Sequence, residues 1–80
     1  MLTAEVAIYP LKSSNASDVI NHSIDSLKSA KIDYQVDSMK THLTGNNEDV
    51  FNSLKTMFSD AQNQGGEVSM VVTITNSARS

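Results

Sequence analysis

The chain has no cysteine, which rules out disulfides and thiolate-bound zinc. Basic residues are also scarce. Six Lys and Arg stand against nine Asp and Glu, for a net charge of -3, and the six are scattered along the chain. Phosphate binding needs clustered cations, so no nucleic-acid surface is expected. Tryptophan is absent, and there are two tyrosines and two phenylalanines. No apolar run is long enough to span a bilayer, and no basic N-terminal stretch precedes one, so neither a signal peptide nor a membrane span is read. Residues 1–80 are a single, mildly acidic domain expected in the cytoplasm. A domain of this length buries only about 60% of its unfolded surface. Packing or self-association has to supply its stability.

What is present is regular. Leu2 to Leu11 alternates, with Ala4, Val6 and Ile8 on one side and Glu5, Ala7 and Tyr9 on the other, and Pro10 suits a strand end. After a Ser/Asn-rich loop, Ile20, Ile24 and Leu27 recur at steps of four and three, which predicts a helix over about 17–30 with Ser17 or Asn15 as its cap. Ile32, Tyr34 and Val36 then alternate with Asp33, Gln35 and Asp37, the mark of a half-buried strand. A second extended run from Lys40 follows directly and stops at Gly45, so the pair must fold back as an antiparallel hairpin. Asn46-Asn47-Glu48-Asp49 opens a second helix, whose stripe is Val50, Phe51, Leu54, Met57, Phe58 and Ala61, ending at Gly65-Gly66. Val68 to Thr75 is a last strand.

The order β-α-β-β-α-β predicts an α+β, ferredoxin-like sandwich. Right-handed crossovers give a four-stranded antiparallel sheet of order 4-1-3-2 with both helices on one face. Nothing in the chain covers the other face, which carries Glu5, Ala7, Tyr9, His42, Thr44, Val71 and Thr73. Such a face suits packing against a second subunit, a homodimer or homotetramer formed through the sheet, with a ligand pocket at its rim.

The segments AEVAIYPL (4–11) and YQVDSMKTHLTG (34–45), followed by Asp49-Val50, resemble the small thiamine-binding protein family, the YkoF-like group. The likeness runs over about residues 3–76. It rests on Ala4, Glu5, Val6, Pro10, Leu11, Tyr34, Val36, Met39, Thr41, Leu43 and Gly45. The chain departs from the family pattern at Thr44, where a glutamate is usual, and at Lys40, where a small residue is usual. The resemblance implies a ferredoxin-like fold, self-association, and binding of thiamine or its hydroxymethylpyrimidine part in thiamine or precursor uptake or homeostasis. An aminopyrimidine offers a donor amino group beside acceptor ring nitrogens and an aromatic face, so it calls for a carboxylate or amide, a hydroxyl and a flat apolar neighbour. Glu5, Tyr9 and Thr44 supply those types, and the hairpin residues Ser38, Met39 and Thr41 join them through the family pattern. Glu5 is expected as the polar anchor, with Thr41 or Thr44 as its hydroxyl partner.

Against this stand plainer readings: Glu5 as a rim charge, Tyr9 as a packing aromatic, His42 as an interface histidine. His22 between Asp18 and Asp25 reads as a charge-complementary helix surface and not as a metal site. No nucleophile–base spacing, phosphate loop or metal-ligand cluster is present, so neither an enzyme nor a cofactor is expected. The alternative is an ACT-like regulatory module whose sheet merely oligomerises.

Overall fold

The computed structural model describes residues 1–12, 14–37 and 40–76. Strand β1 (Leu2–Pro10) leads to helix α1 (Ala16–Asp25), which passes into a 3₁₀ turn (Ser26–Ser29). The hairpin is β2 (Asp33–Asp37) and β3 (Lys40–Gly45), followed by α2 (Asn47–Gly65) and β4 (Val68–Thr75). The sheet order is β2-β3-β1-β4, all neighbours antiparallel. This is the expected ferredoxin-like order read from the other edge. No described helix is long and apolar enough to cross a membrane.

The central strand β1 sets the two faces. Its Ala4, Val6 and Ile8 are buried under the helices with Val19, Leu27 and Leu43. On α2 the core stripe is Val50, Leu54, Met57 and Ala61, all buried, at the helical steps of four, three and four. Phe51, expected in that stripe, is instead 53% exposed. One residue past Val50 lies about 100° further round the helix, beyond the face the sheet can cover. α2 begins as predicted: the Asp49 N–H donates to Asn46 Oδ1 (2.8 Å) and Asn46 Nδ2 donates to Asp49 Oδ2 (2.9 Å). This reciprocal pair satisfies a free end of the helix. Its far end closes on Gly66 at φ 75, whose N–H donates to the Gln62 carbonyl. A side chain there would be strained.

α1 is shorter than its predicted span. The hydroxyls of Ser23, Ser26 and Ser29 donate to the carbonyls of Ile20 (2.7 Å), Ser23 (2.6 Å) and Ser26 (3.4 Å), three residues back in each case. Serines that bond back into the preceding turn compete with the α pattern, and the tighter 3₁₀ turn results. The helices pack over β1, β3 and β4, and the outer strand β2 is left without a roof. Its alternation holds, with Tyr34 and Val36 registered to Leu43 and Thr41 on the helix side. The expected half-burial does not, because all five β2 residues are exposed. Alternation reports which way a side chain points, not whether anything lies above it.

Candidate functional site

The missing roof over β2 makes a cavity. It lies between α1 and the hairpin end of the sheet, has a volume of about 110 Å³, and is lined by Val6, Ile8, Ile20, Ile24, Val36, Lys40 and Thr41. Strand alternation turns Val6, Ile8, Val36 and Thr41 toward it. Ile20 and Ile24, one helical turn apart, close it from above. Val36 is 47% exposed and forms part of the mouth. Thr41 is buried and brings the one hydroxyl among the described lining residues. Among the described residues no buried side-chain nitrogen or oxygen lacks a hydrogen-bond partner. The cavity is an apolar slot with a polar end.

The open face carries a separate group. Glu5 sits at its centre, registered between His42 on β3 and Thr73 on β4. Lys40 Nζ donates to Glu5 Oε1 at 3.0 Å, and His42 Nδ1 lies 3.9 Å from Glu5 Oε2. The hydrogen bond to Glu5, and behind it the negative charge of Glu5, hold the Lys40 ammonium above its ordinary value. A shallow hollow of about 170 Å³ on this face is lined by Glu5, Ala7, Tyr9, Lys40, Val71 and Thr73, with Val6 at its edge. Lys40 therefore lines a cavity on each face of the sheet.

The sequence-predicted residues fall into two groups. Glu5 and Tyr9 share the open-face hollow. Thr44 is on the same face but registered to Thr3 and Asp33, and it lines a different depression with Asp33, Gln35 and His42. Thr41, expected beside Glu5, lies on the opposite face, registered to Val6. The physical reason is the two-residue period: if His42 and Thr44 face outward, Thr41 must face the helices. The Glu5–Thr41 pairing is therefore corrected. Ser38 and Met39 lie outside the described residues. Val6, Ile8, Ile20, Ile24, Val36 and Lys40 are described lining residues that sequence reasoning missed as a site, all but Lys40 of them apolar. Their apolar spacing was visible, but a core stripe and a pocket wall look alike in sequence. On the solvent side of α1, Asp25 pairs with Lys28 at 3.2 Å, and among the described residues no group of three or more metal-ligating side chains comes together.

The profile of the YKOF-related family matches residues 2–80. The chain belongs to that family. Among solved structures it is similar to a protein from Streptococcus pneumoniae, at 20% identity and a TM-score of 0.89, covering 96% of this chain and 87% of that one. A domain of unknown function, DUF77, from Bacillus cereus is 20% identical with a TM-score of 0.84, covering 95% and 75%. A candidate thiamine biosynthesis/salvage protein from Thermotoga maritima is 18% identical with a TM-score of 0.79, covering 91% and 80%. At these identities the likeness establishes the fold alone. No curated protein sequence matches the chain at a significant level.

Proposed function

We propose that this protein is a non-catalytic, cytoplasmic binding protein for thiamine or its hydroxymethylpyrimidine part, and that the cavity under α1 receives the pyrimidine ring. The observation that carries the reading is the size and chemistry of that cavity. An enclosed apolar cavity of about 150 Å³ takes benzene, so about 110 Å³ with an open mouth is of the size that seats part of a single six-membered ring. The walls Ile20, Ile24 and Val36 offer flat apolar contact. The Thr41 hydroxyl at the polar end can both donate to a ring nitrogen and accept from an amino group. Membership of the YKOF-related family and the thiamine salvage role put forward for the Thermotoga maritima neighbour agree with this ligand class. The open sheet face, with Tyr9 and Val71 exposed, is proposed as the contact between copies of the chain.

Thermal unfolding tests the reading. At 100 times its Kd, a ligand that binds only the folded state adds about 2.7 kcal/mol, a rise in Tm on the order of 10 °C for a domain of this size. Hydroxymethylpyrimidine should produce that rise in the natural protein. It should not do so in Val36→Trp, where the indole fills the mouth. Val36 sits on an exposed edge strand, so the variant should keep the unliganded Tm within a few degrees, as surface substitutions usually do. An equal ligand response in the two proteins would refute the site.

A further inference from the structure

We propose that two copies of this chain join along β4, strand against strand about a two-fold axis at Val72, so that their two sheets become one. The contact is independent of the ligand cavity, and it leaves the open face of both copies free.

The first ground is a contrast between the two edges of the sheet. The order β2-β3-β1-β4 leaves β2 and β4 outermost. An outer strand presents backbone N–H and C=O groups that can take another strand, and proteins usually guard it with charge, proline or a bulge. β2 is guarded. It is short, and Asp33 and Asp37 stand at its two ends. β4 is not guarded. Its sequence, VSMVVTIT, holds no charged residue and no proline. It pairs with β1 in one unbroken register from Val68 to Thr75, without a bulge. Val71 and Ile74 are exposed along it.

The second ground is what β4 meets when its partner is itself. Residues directly opposite each other in an antiparallel pair share a face of the sheet. With the axis at Val72, Val72 meets the partner's Val72, and Met70 meets the partner's Ile74. Both pairs are apolar and lie on the helix side, the side of their register partners Val6, Ile8 and Ala4. Ile74, 40% exposed in the single chain, gains a neighbour. On the open side Val71 meets the partner's Thr73, two β-branched residues of the kind that pair well across strands. An axis at Val71 would instead draw the Glu67 carboxylate into the ladder. The same operation fails at the other edge. Turned about Gln35, β2 sets Asp33 against the partner's Asp37, like charges directly opposite. The charges of the chain thus oppose self-pairing at one edge and permit it at the other.

The third ground is the helix layer. An axis perpendicular to the sheet keeps the helices of both copies on one side, so the two α2 helices come alongside. Asp49, Asn52, Ser53 and Thr56 of α2 line a hollow with Ala30 and Lys31, just past α1. Phe51, the exposed ring of α2, falls on the opposite flank of the helix, away from that connection. The pairing brings a second apolar surface to that flank. It is also isologous, so each copy uses its β4 edge once and the assembly closes.

The experiment uses the absence of cysteine, since a single introduced thiol then reports on one position. Val72→Cys, Met70→Cys and Ile74→Cys are oxidised with diamide, alone and in mixtures, and read by non-reducing electrophoresis and mass spectrometry. Circular dichroism checks that each variant folds. Opposite residues of antiparallel strands have Cα atoms about 4.5–5.5 Å apart, within the reach of a disulfide. Val72→Cys should therefore crosslink with itself, giving a species of twice the mass. Met70→Cys alone and Ile74→Cys alone should stay single, because like positions are then about 13 Å apart along the strand. A mixture of Met70→Cys and Ile74→Cys should crosslink, and this arm does not depend on the folding of Val72→Cys. Contact through the open faces cannot mimic the pattern, since all three positions lie on the helix side of the sheet. No crosslink in any arm overturns the proposal. Equal crosslinking of all three variants alone overturns it too, because collision and not register would then decide.

Discussion

The two helices of this fold do the same job by different means. α2 is long, closed at its start by the reciprocal Asn46–Asp49 pair and at its end by Gly66, and its buried stripe is continuous from Val50 to Ala61. α1 has ten residues, gives way to a serine-tightened 3₁₀ turn, and buries Val19 and Ser23 while Ile20 and Ile24 remain half-open. The lesson is a division of labour. A fully specified helix supplies stability, and an under-filled one leaves the space that a ligand can use.

Truncations into the two stripes should separate these roles most sharply. Met57→Ala removes a fully buried side chain from under α2 and should cost about 2–5 kcal/mol. Ile24→Ala enlarges a space that is already open and should cost well under half as much. Urea unfolding of the two variants reads the difference, and similar losses would erase the distinction between the helices. The capping contrast is smaller. Asn46→Ala deletes the side chain that accepts from the Asp49 N–H and should lower stability by about 1 kcal/mol. The measurement is again chemical unfolding, with helix content by circular dichroism as the check that the loss starts in α2.

The smallest effect is on pH dependence and belongs to the residue that lines both cavities. The Lys40 pKa in the folded protein is raised above its ordinary 10.5 by Glu5. The stability from this pair is therefore fully present below the unfolded value and is lost as pH rises through the folded one. From neutral pH to about pH 10, Lys40→Met should match the pH profile of the natural protein, apart from a constant offset. The natural protein should then fall relative to the variant in more alkaline solution. Parallel profiles across that window would show that the 3.0 Å contact is energetically idle.

Much of this was legible in the residues themselves. The alternation in β1 separated Ala4, Val6 and Ile8 from Glu5, Ala7 and Tyr9, and the structure keeps that separation. The Asn46 start and the Gly66 stop of α2 follow from side-chain chemistry within a few residues, so they could be read locally. Reach could not. Whether Tyr34 and Val36 are covered depends on where α1 ends, and that depends on three serine hydroxyls choosing backbone carbonyls over water. Thr41 was misplaced for another reason. The period that sent His42 and Thr44 outward also fixed its side, and the family pattern set it beside Glu5 regardless. Cavities are made by side chains that fail to meet, and a sequence records only the side chains.

The register of β1 with β4 has a kinetic consequence. Thr3 pairs with Thr75 and Pro10 with Val68, so the longest ladder of the sheet joins the first strand to the last. Pairing between strands so distant in sequence closes a large loop before it yields any contact, which slows folding. Until β4 has been made, β1 has only β3 beside it and presents a bare apolar edge, so the nascent domain is most exposed to aggregation in the interval just before its last strand arrives.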